Sequence, residues 1–273
     1  MNPFTPAFAK AVHFGHLAAV HLPDSKEPVP EDVLSRLDDL EREHARSLNG
    51  YRQVDWVGGR LALRGALNAM DRRTPPLLVN GHGAPMLPQG LSGSVSHKRT
   101  LAVGLVARSR FGRLGVDLED LAPERMGIAE RVLLPEELAA IQALPEHRRW
   151  TGLVLRFSMK EAIYKALHPY VERYVGFHEA LVRPDIDCTA QVELRLEQGE
   201  GPFRVEARYL WLAGRILTMV RIRPPRRDRK KSKQRKHRAP AEERRAVGET
   251  PGGSGDQAVR GGLGPSHNEV LGD

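Results

Sequence analysis

Two carboxylates stand two residues apart in Gly115-Val116-Asp117-Leu118-Glu119-Asp120, inside a segment otherwise apolar enough for a buried strand. Alternate residues of a strand share a face, so Asp117 and Glu119 project together. Carboxylates that close repel and resist burial, so a cation belongs beside them: a metal ion, a lysine or an arginine. Taken alone, the pair also fits the exposed face of an edge strand. Some forty residues on, Phe157–Leu167 (FSMKEAIYKAL) places Glu161 and Lys165 four apart, hence on one helix face. Lys160 projects about 100° away. In isolation Glu161 and Lys165 read as a surface ion pair worth a few tenths of a kcal/mol. Beside Asp117 and Glu119, however, Glu161 adds a third hard oxygen donor. Such a set suits Mg²⁺, which completes its shell with water and substrate phosphates.

A second group of residues suits anions. Gly93–Lys98 (GSVSHK) ends a strand in a hydroxyl and an imidazole. Ser96 can donate to an anion, and so can either ring nitrogen of His97. A histidine at a strand end is also an ordinary structural hydrogen-bonder. Arg60 and Arg64 in GGRLALRGAL share a helical face, and Arg52 lies eight residues before Arg60, within reach of the same side. Three guanidiniums facing one way repel unless an anion lies among them, and their planar forks suit phosphate. The alternative is a solvated basic face.

The spacing predicts the elements that position these groups. Residues 30–49 read as a helix with Val33, Leu37, Leu40 and His44 at helical spacing and Pro30 near its start. A second helix covers 55–70, with Trp56, Leu63 and Leu67 on one side, and 75–93 is turn-rich loop. Residues 93–108 read as strand, turn and strand, with 113–121 pairing as a third strand. Helices follow at 126–143 and 150–167. Strands come at 188–197 and in 203–223, the latter broken at Ala213-Gly214 like a hairpin. Strands and helices thus alternate twice. The fold class is α+β, with two similar α/β subdomains, 1–113 and 114–223; the resemblance described below implies that they stand in pseudo-twofold arrangement with the active site between them.

Length and composition narrow the classes. A chain of 273 residues with 40% hydrophobic residues supports a sizeable core. One cysteine, Cys188, excludes a disulfide framework and a cysteine-based zinc site, and it lies outside every motif above. No apolar run is long enough to span a bilayer, and the N-terminal stretch lacks a basic region followed by an apolar one, which points to a cytoplasmic protein. The net charge of +8 is concentrated in 226–238 (RRDRKKSKQRKHR), followed by glycine-rich sequence; residues 224–273 read as a disordered basic tail. Nine charges in that run would bind any polyanion with steep salt dependence. A nucleic-acid or polyanion-binding protein is therefore the competing function, but the run has no aromatics to stack bases. A lure for an acidic protein partner explains it more simply.

Taken together, the blocks resemble the 4′-phosphopantetheinyl transferase superfamily of the Sfp/EntD type. The resemblance is carried by Gly115–Glu119, by FSMKEAIYKAL, by GSVSHK, by GGRLALRGAL and by HPYVERYVGFHEA at 168–180. It spans about 45–182, and the order and spacing of the blocks give it its specificity. It implies an enzyme that moves the phosphopantetheine arm of coenzyme A onto a serine of an acidic acyl or peptidyl carrier protein, leaving 3′,5′-ADP. It also implies Mg²⁺ held by Asp117, Glu119 and Glu161, with Glu161 accepting the serine proton. Lys165 and Lys160 would neutralise phosphate charge, while Ser96, His97, Arg52 and Arg60 would grip the phosphates of coenzyme A. Phosphoryl transfer of this kind needs positioning and charge neutralisation rather than a covalent protein intermediate. Many relatives carry a lysine in the loop before the serine–histidine strand. Here the loop reads VNGHGAPMLP, which makes His82 the nearest cation and the backbone N–H groups of Asn80–Gly83 substitute donors. Two similar halves in one chain favour a monomer. The EntD-like segments favour carriers of secondary metabolism, including siderophore biosynthesis.

Overall fold

A computed structural model describes residues 3–72 and 74–225. The basic run at 226–238 and the glycine-rich stretch after it lie outside the described residues, and with them all but the first two residues of the expected disordered tail. The chain opens with a hairpin, β1 (Pro6–Val12) and β2 (Gly15–His21), then passes through α1 (Glu31–Leu34) and α2 (Asp39–Arg46) into α3 (Gly50–Asn68). A second hairpin, β3 (Leu91–Lys98) and β4 (Leu101–Arg108), leads to β5 (Arg113–Asp120). Next come α4 (Ala129–Val132), α5 (Pro135–Gln142) and α6 (Glu146–Val171). The last strands are β6 (Ala180–Pro184), β7 (Thr189–Leu194), β8 (Arg204–Leu212) and β9 (Arg215–Arg223). The fold is mixed α/β with two antiparallel sheets, ordered β1-β2-β4-β3 and β5-β9-β8-β7-β6. Among the described residues no helix is long and apolar enough to cross a membrane.

Several elements differ from what the spacing predicts. The β1–β2 hairpin has no counterpart among the predicted elements. The helix expected over 30–49 is two helices, because Asp38 begins a new one: its carboxylate accepts from Leu40 N, and its own N–H donates to Glu41. Leu40, expected on the buried side, is 52% exposed. Helix 126–143 is likewise broken, with Pro135 opening α5. The helix expected over 55–70 starts at Gly50, which puts Arg52 in its first turn. The helix expected over 150–167 starts at Glu146 and runs past Pro169 to Val171. The strand expected over 188–197 is preceded by β6, with which it pairs. The third strand, β5, pairs with β9 rather than with the 93–108 hairpin.

Two-residue periodicity sorts the side chains of the first sheet. Ala18, Ala102 and Val106 face α3, whereas Leu17, Ala19, Leu101, Val103, Leu105 and Ala107 face the second sheet. There they share one core with Leu114, Val116 and Leu118 of β5 and with Leu217 and Met219 of β9. On β3 the side turned to the second sheet carries Ser92, Ser94 and Ser96, all buried. Leu114 N donates to Ser92 Oγ and Val116 N to Ser94 Oγ, each at 3.1 Å. These alternating serines satisfy polar groups of β5 that a backbone ladder would otherwise have to meet.

Each sheet also admits its long helix unusually closely. A Cβ on Gly104 of β4 would lie 2.7 Å from Leu63 N of α3, and one on Gly115 of β5 would lie 1.8 Å from Ala162 O of α6. Both glycines let backbone meet backbone. This contact fixes the depth at which α6 lies on Asp117.

Candidate active site

Asp117 lies on the face of β5 turned to α6 and is 4% exposed. Its Oδ1 accepts from Lys165 Nζ at 2.8 Å and from Ser96 Oγ at 3.0 Å. Its Oδ2 accepts from Ser158 Oγ at 2.8 Å. Ser158 in turn shares a hydrogen bond with Thr218 Oγ1 of β9, the residue directly across from Asp117. Ser158, Glu161 and Lys165 recur at helical spacing on one face of α6. Two residues along β5, Glu119 Oε2 meets Lys98 Nζ at 2.7 Å. The cation beside each strand carboxylate is therefore a lysine: Lys165 for Asp117 and Lys98 for Glu119.

Carboxylates and lysines crowd this spot, and the electrostatics record it. Glu161 is pushed up to about 8, by burial first and then by Asp117, with Lys165 opposing. Glu119 is pushed up to about 7, again by burial first and then by Asp117, with Lys98 opposing. Burial works against the Lys165 ammonium, yet Asp117 and Glu161 together raise it above the ordinary lysine value. Acids that hold protons this tightly are the ones a divalent cation relieves. Among the described residues no three His, Cys, Asp or Glu side chains stand together in a group that could hold a metal ion, so the expected trio of Asp117, Glu119 and Glu161 is not assembled as one. The donors still fit Mg²⁺. They are all hard oxygens, they repel one another, and that ion commonly takes one or two carboxylates and fills its shell with phosphate and water.

The other expected site residues separate. His97 points to the opposite face of β3 from Ser96, and its Nδ1 lies 3.3 Å from Asp55 Oδ2 on α3. Its imidazole is held down at about 4, by burial first and then by Lys165. Arg52 is exposed. Arg60 is 3% exposed: its Nε donates to Leu77 O, its guanidinium carbon lies 4.4 Å from the centre of the Trp56 ring, and its buried Nη2 has no hydrogen-bond partner among the described residues. Arg64 does not join it in facing an anion, because its guanidinium is bound to the fully buried Glu41. His82 stands against His168 of α6, ring centroids 4.8 Å apart.

One expectation is overturned. Lys160 does not reach a phosphate: its side chain is 1% exposed, and Nζ donates to Glu137 Oε2, Val132 O and Phe177 O. It is a buried staple between α6, α4, α5 and the chain leading to β6. Three of the four loop amides of Asn80–Gly83 are also engaged within the loop itself. Asn80 N donates to Ala84 O, His82 N and Ala84 N both donate to Asn80 Oδ1, and Gly83 N donates to Asn80 O. The HPYVERYVGFHEA segment serves the fold: Arg173 pairs with Glu179 and Glu200, and Glu179 also accepts from Gly176 N and Glu197 N. Sequence reasoning gave no role to Asp55, Lys98, Ser158 or Thr218. Asp55 had a visible signal, as the only acid in an otherwise basic helix.

Residues 113–220 match the 4′-phosphopantetheinyl transferase superfamily, and residues 40–107 match the 4′-phosphopantetheinyl transferase N-terminal domain. The chain is 30% identical over 205 residues to the 4′-phosphopantetheinyl transferase Svp of Streptomyces mobaraensis, covering 72% of this chain and 82% of that one. It is 32% identical over 149 residues to enterobactin synthase component D of Salmonella typhimurium, covering 51% and 58%. The holo-[acyl-carrier-protein] synthase of Helicobacter pylori, solved in complex with coenzyme A, aligns over 40% of this chain and 99% of its own, at 19% identity and a TM-score of 0.32. The chain belongs to the 4′-phosphopantetheinyl transferase superfamily. Within it, the likeness runs to the branch that includes the Svp and enterobactin enzymes.

Proposed function

We propose that this enzyme transfers the 4′-phosphopantetheine arm of coenzyme A to a serine of an acidic acyl or peptidyl carrier protein and releases 3′,5′-ADP. The observation that carries the reading is the polar cluster where β5 meets α6. Asp117 is fixed there by Ser96, Ser158 and Lys165, with Glu119 and Glu161 close enough to raise one another's proton affinity. Asp117, Glu119 and Glu161 would hold Mg²⁺, which supplies Lewis-acid stabilisation of the pyrophosphate when bound. Glu161, pushed up to about 8 by burial and Asp117, would be left as the carboxylate once a cation opposes them, and would then accept the proton of the carrier serine. Lys165 neutralises charge as the phosphate bond breaks. Arg52, exposed, and His97, half-buried, are the contacts for the coenzyme A phosphates, with Arg60 carried on the same helix as Arg52.

The same reading gives the chain two similar halves, 1–113 and 114–223, related by a pseudo-twofold axis with the site between them, and a monomer as the working unit. Its support is the repeated plan of an antiparallel sheet whose glycine admits one long helix. The partner is an acidic carrier, of siderophore or other secondary metabolism, in the cytoplasm. The test is mass spectrometry of apo carrier proteins incubated with coenzyme A and Mg²⁺, reading the added mass of the arm. Glu161→Gln should fold normally and lose transfer by orders of magnitude. Near-normal turnover would remove Glu161 from the reaction.

A further inference from the structure

His97 is seated by an arrangement that neither its strand nor its neighbour Ser96 explains. Val95 and His97 share the face of β3 turned to α3. Gly59 brings α3 down on that face, where a Cβ would lie 2.9 Å from Val95 Cγ2. Asp55 stands one helical turn before Gly59, so the approach that packs the helix on Val95 also carries the Asp55 carboxylate to His97. The result is the 3.3 Å contact between Oδ2 and Nδ1, with side chains 25% and 28% exposed.

We infer that Asp55 is the positioning residue of His97: it holds the Nδ1 edge of the imidazole, so that Nε2 is presented to a coenzyme A phosphate, and its charge stabilises the imidazolium formed against that phosphate. The inference rests on the proposed coenzyme A reading and adds a residue to it. The chemistry follows from the ring's two unlike nitrogens. A carboxylate at Nδ1 fixes the proton there and leaves Nε2 as the free edge. Burial and Lys165 keep His97 neutral, with Lys98 also opposing its charge and Asp117 favouring it. Asp55 itself is raised to about 6 by burial, and Tyr51 on the same helix feels its charge. An arriving phosphate supplies the second negative partner, and His97 takes up a proton between carboxylate and phosphate oxygens. Coenzyme A binding should therefore consume a proton and weaken as pH rises.

The experiment has two parts. In the free protein, ¹⁵N NMR of labelled histidines reads the tautomer of His97; the Nδ1–H form is expected, and an Nε2–H form would overturn the assignment. In the second part, coenzyme A and dephospho-coenzyme A are titrated calorimetrically from about pH 6 to 8.5 into wild type, Asp55→Asn and Asp55→Glu. Asp55→Asn should lose roughly ten- to a hundredfold in coenzyme A affinity at neutral pH and show its pH-dependent fall at lower pH, while Asp55→Glu restores the profile. A uniform loss at every pH, or none, would reduce Asp55 to a packing residue. Wild type that binds no coenzyme A at any pH would instead defeat the proposed function, and the tautomer would still decide the positioning role.

Discussion

Substituting Gly115 by alanine tests whether the site depends on backbone contact between β5 and α6. The new methyl would start 1.8 Å from Ala162 O, 2.8 Å from Ala162 C and 3.0 Å from Ala166 N, all backbone atoms of the helix. No side chain can swing aside to accommodate it. To reach about 3.0 Å, roughly 1.2 Å of separation must be found by lifting α6 away from the strand, a displacement of the size that overpacked cores resist at about 1–3 kcal/mol. The same movement separates Ser158, Glu161 and Lys165 from Asp117, whose bonds to Ser158 and Lys165 are both 2.8 Å long. A misplacement near 1 Å in a positioned reaction costs about a hundredfold in rate. The assay pairs urea unfolding with arm transfer to an apo carrier, read by mass. Gly127→Ala is the control, since a Cβ there meets nothing within 4 Å. A Gly115→Ala protein with wild-type unfolding midpoint and turnover would refute the close-approach argument.

The buried charges give two further outcomes. Lys160→Met leaves Glu137, 1% exposed, without its cation, and should cost about 3–5 kcal/mol in urea unfolding while coenzyme A affinity of the folded protein holds; a selective loss of affinity at unchanged stability would return Lys160 to the binding site. Glu161 and Glu119 bind protons in the folded chain up to about pH 8 and 7, above the ordinary 4.5 of the unfolded one. Stability in EDTA should therefore fall as pH rises from about 5 to 8. Mg²⁺ should raise the melting temperature more at about pH 8 than at about pH 5.5, where those acids are protonated; equal shifts at both would contradict a carboxylate-bound ion.

Legibility of the sequence followed the range of the interactions. Helical spacing and strand alternation located the three acids, Lys165 and the serine–histidine strand, because each depends on neighbours within one or two turns. Burial did not follow the same rule. Lys160 and Lys165 look alike on a helix, yet one finds Glu137 and two carbonyls while the other finds Asp117, and both partners come from distant segments. Arg60 and Arg64 share a face in the sequence, but Leu77 and Glu41 turn them inward. The β1–β2 hairpin was hidden because its small residues carry little strand signal, and its place is set by pairing β2 with β4. The alternating Ser92, Ser94 and Ser96 gave no signal of their role, because their partners on β5 come from a separate segment.

That alternation has a consequence for the whole catalytic unit. Because Ser96 and His97 are consecutive yet look to opposite sides, one strand gauges two clefts at once. Sliding β3 by a single residue would bring valine to Asp117 and a hydroxyl to Asp55 in one direction, and imidazole to Asp117 and the Lys98 ammonium to Asp55 in the other. Threading errors during folding therefore displace both contacts together: Ser96 meets Asp117 and His97 meets Asp55 in the same alignment or not at all.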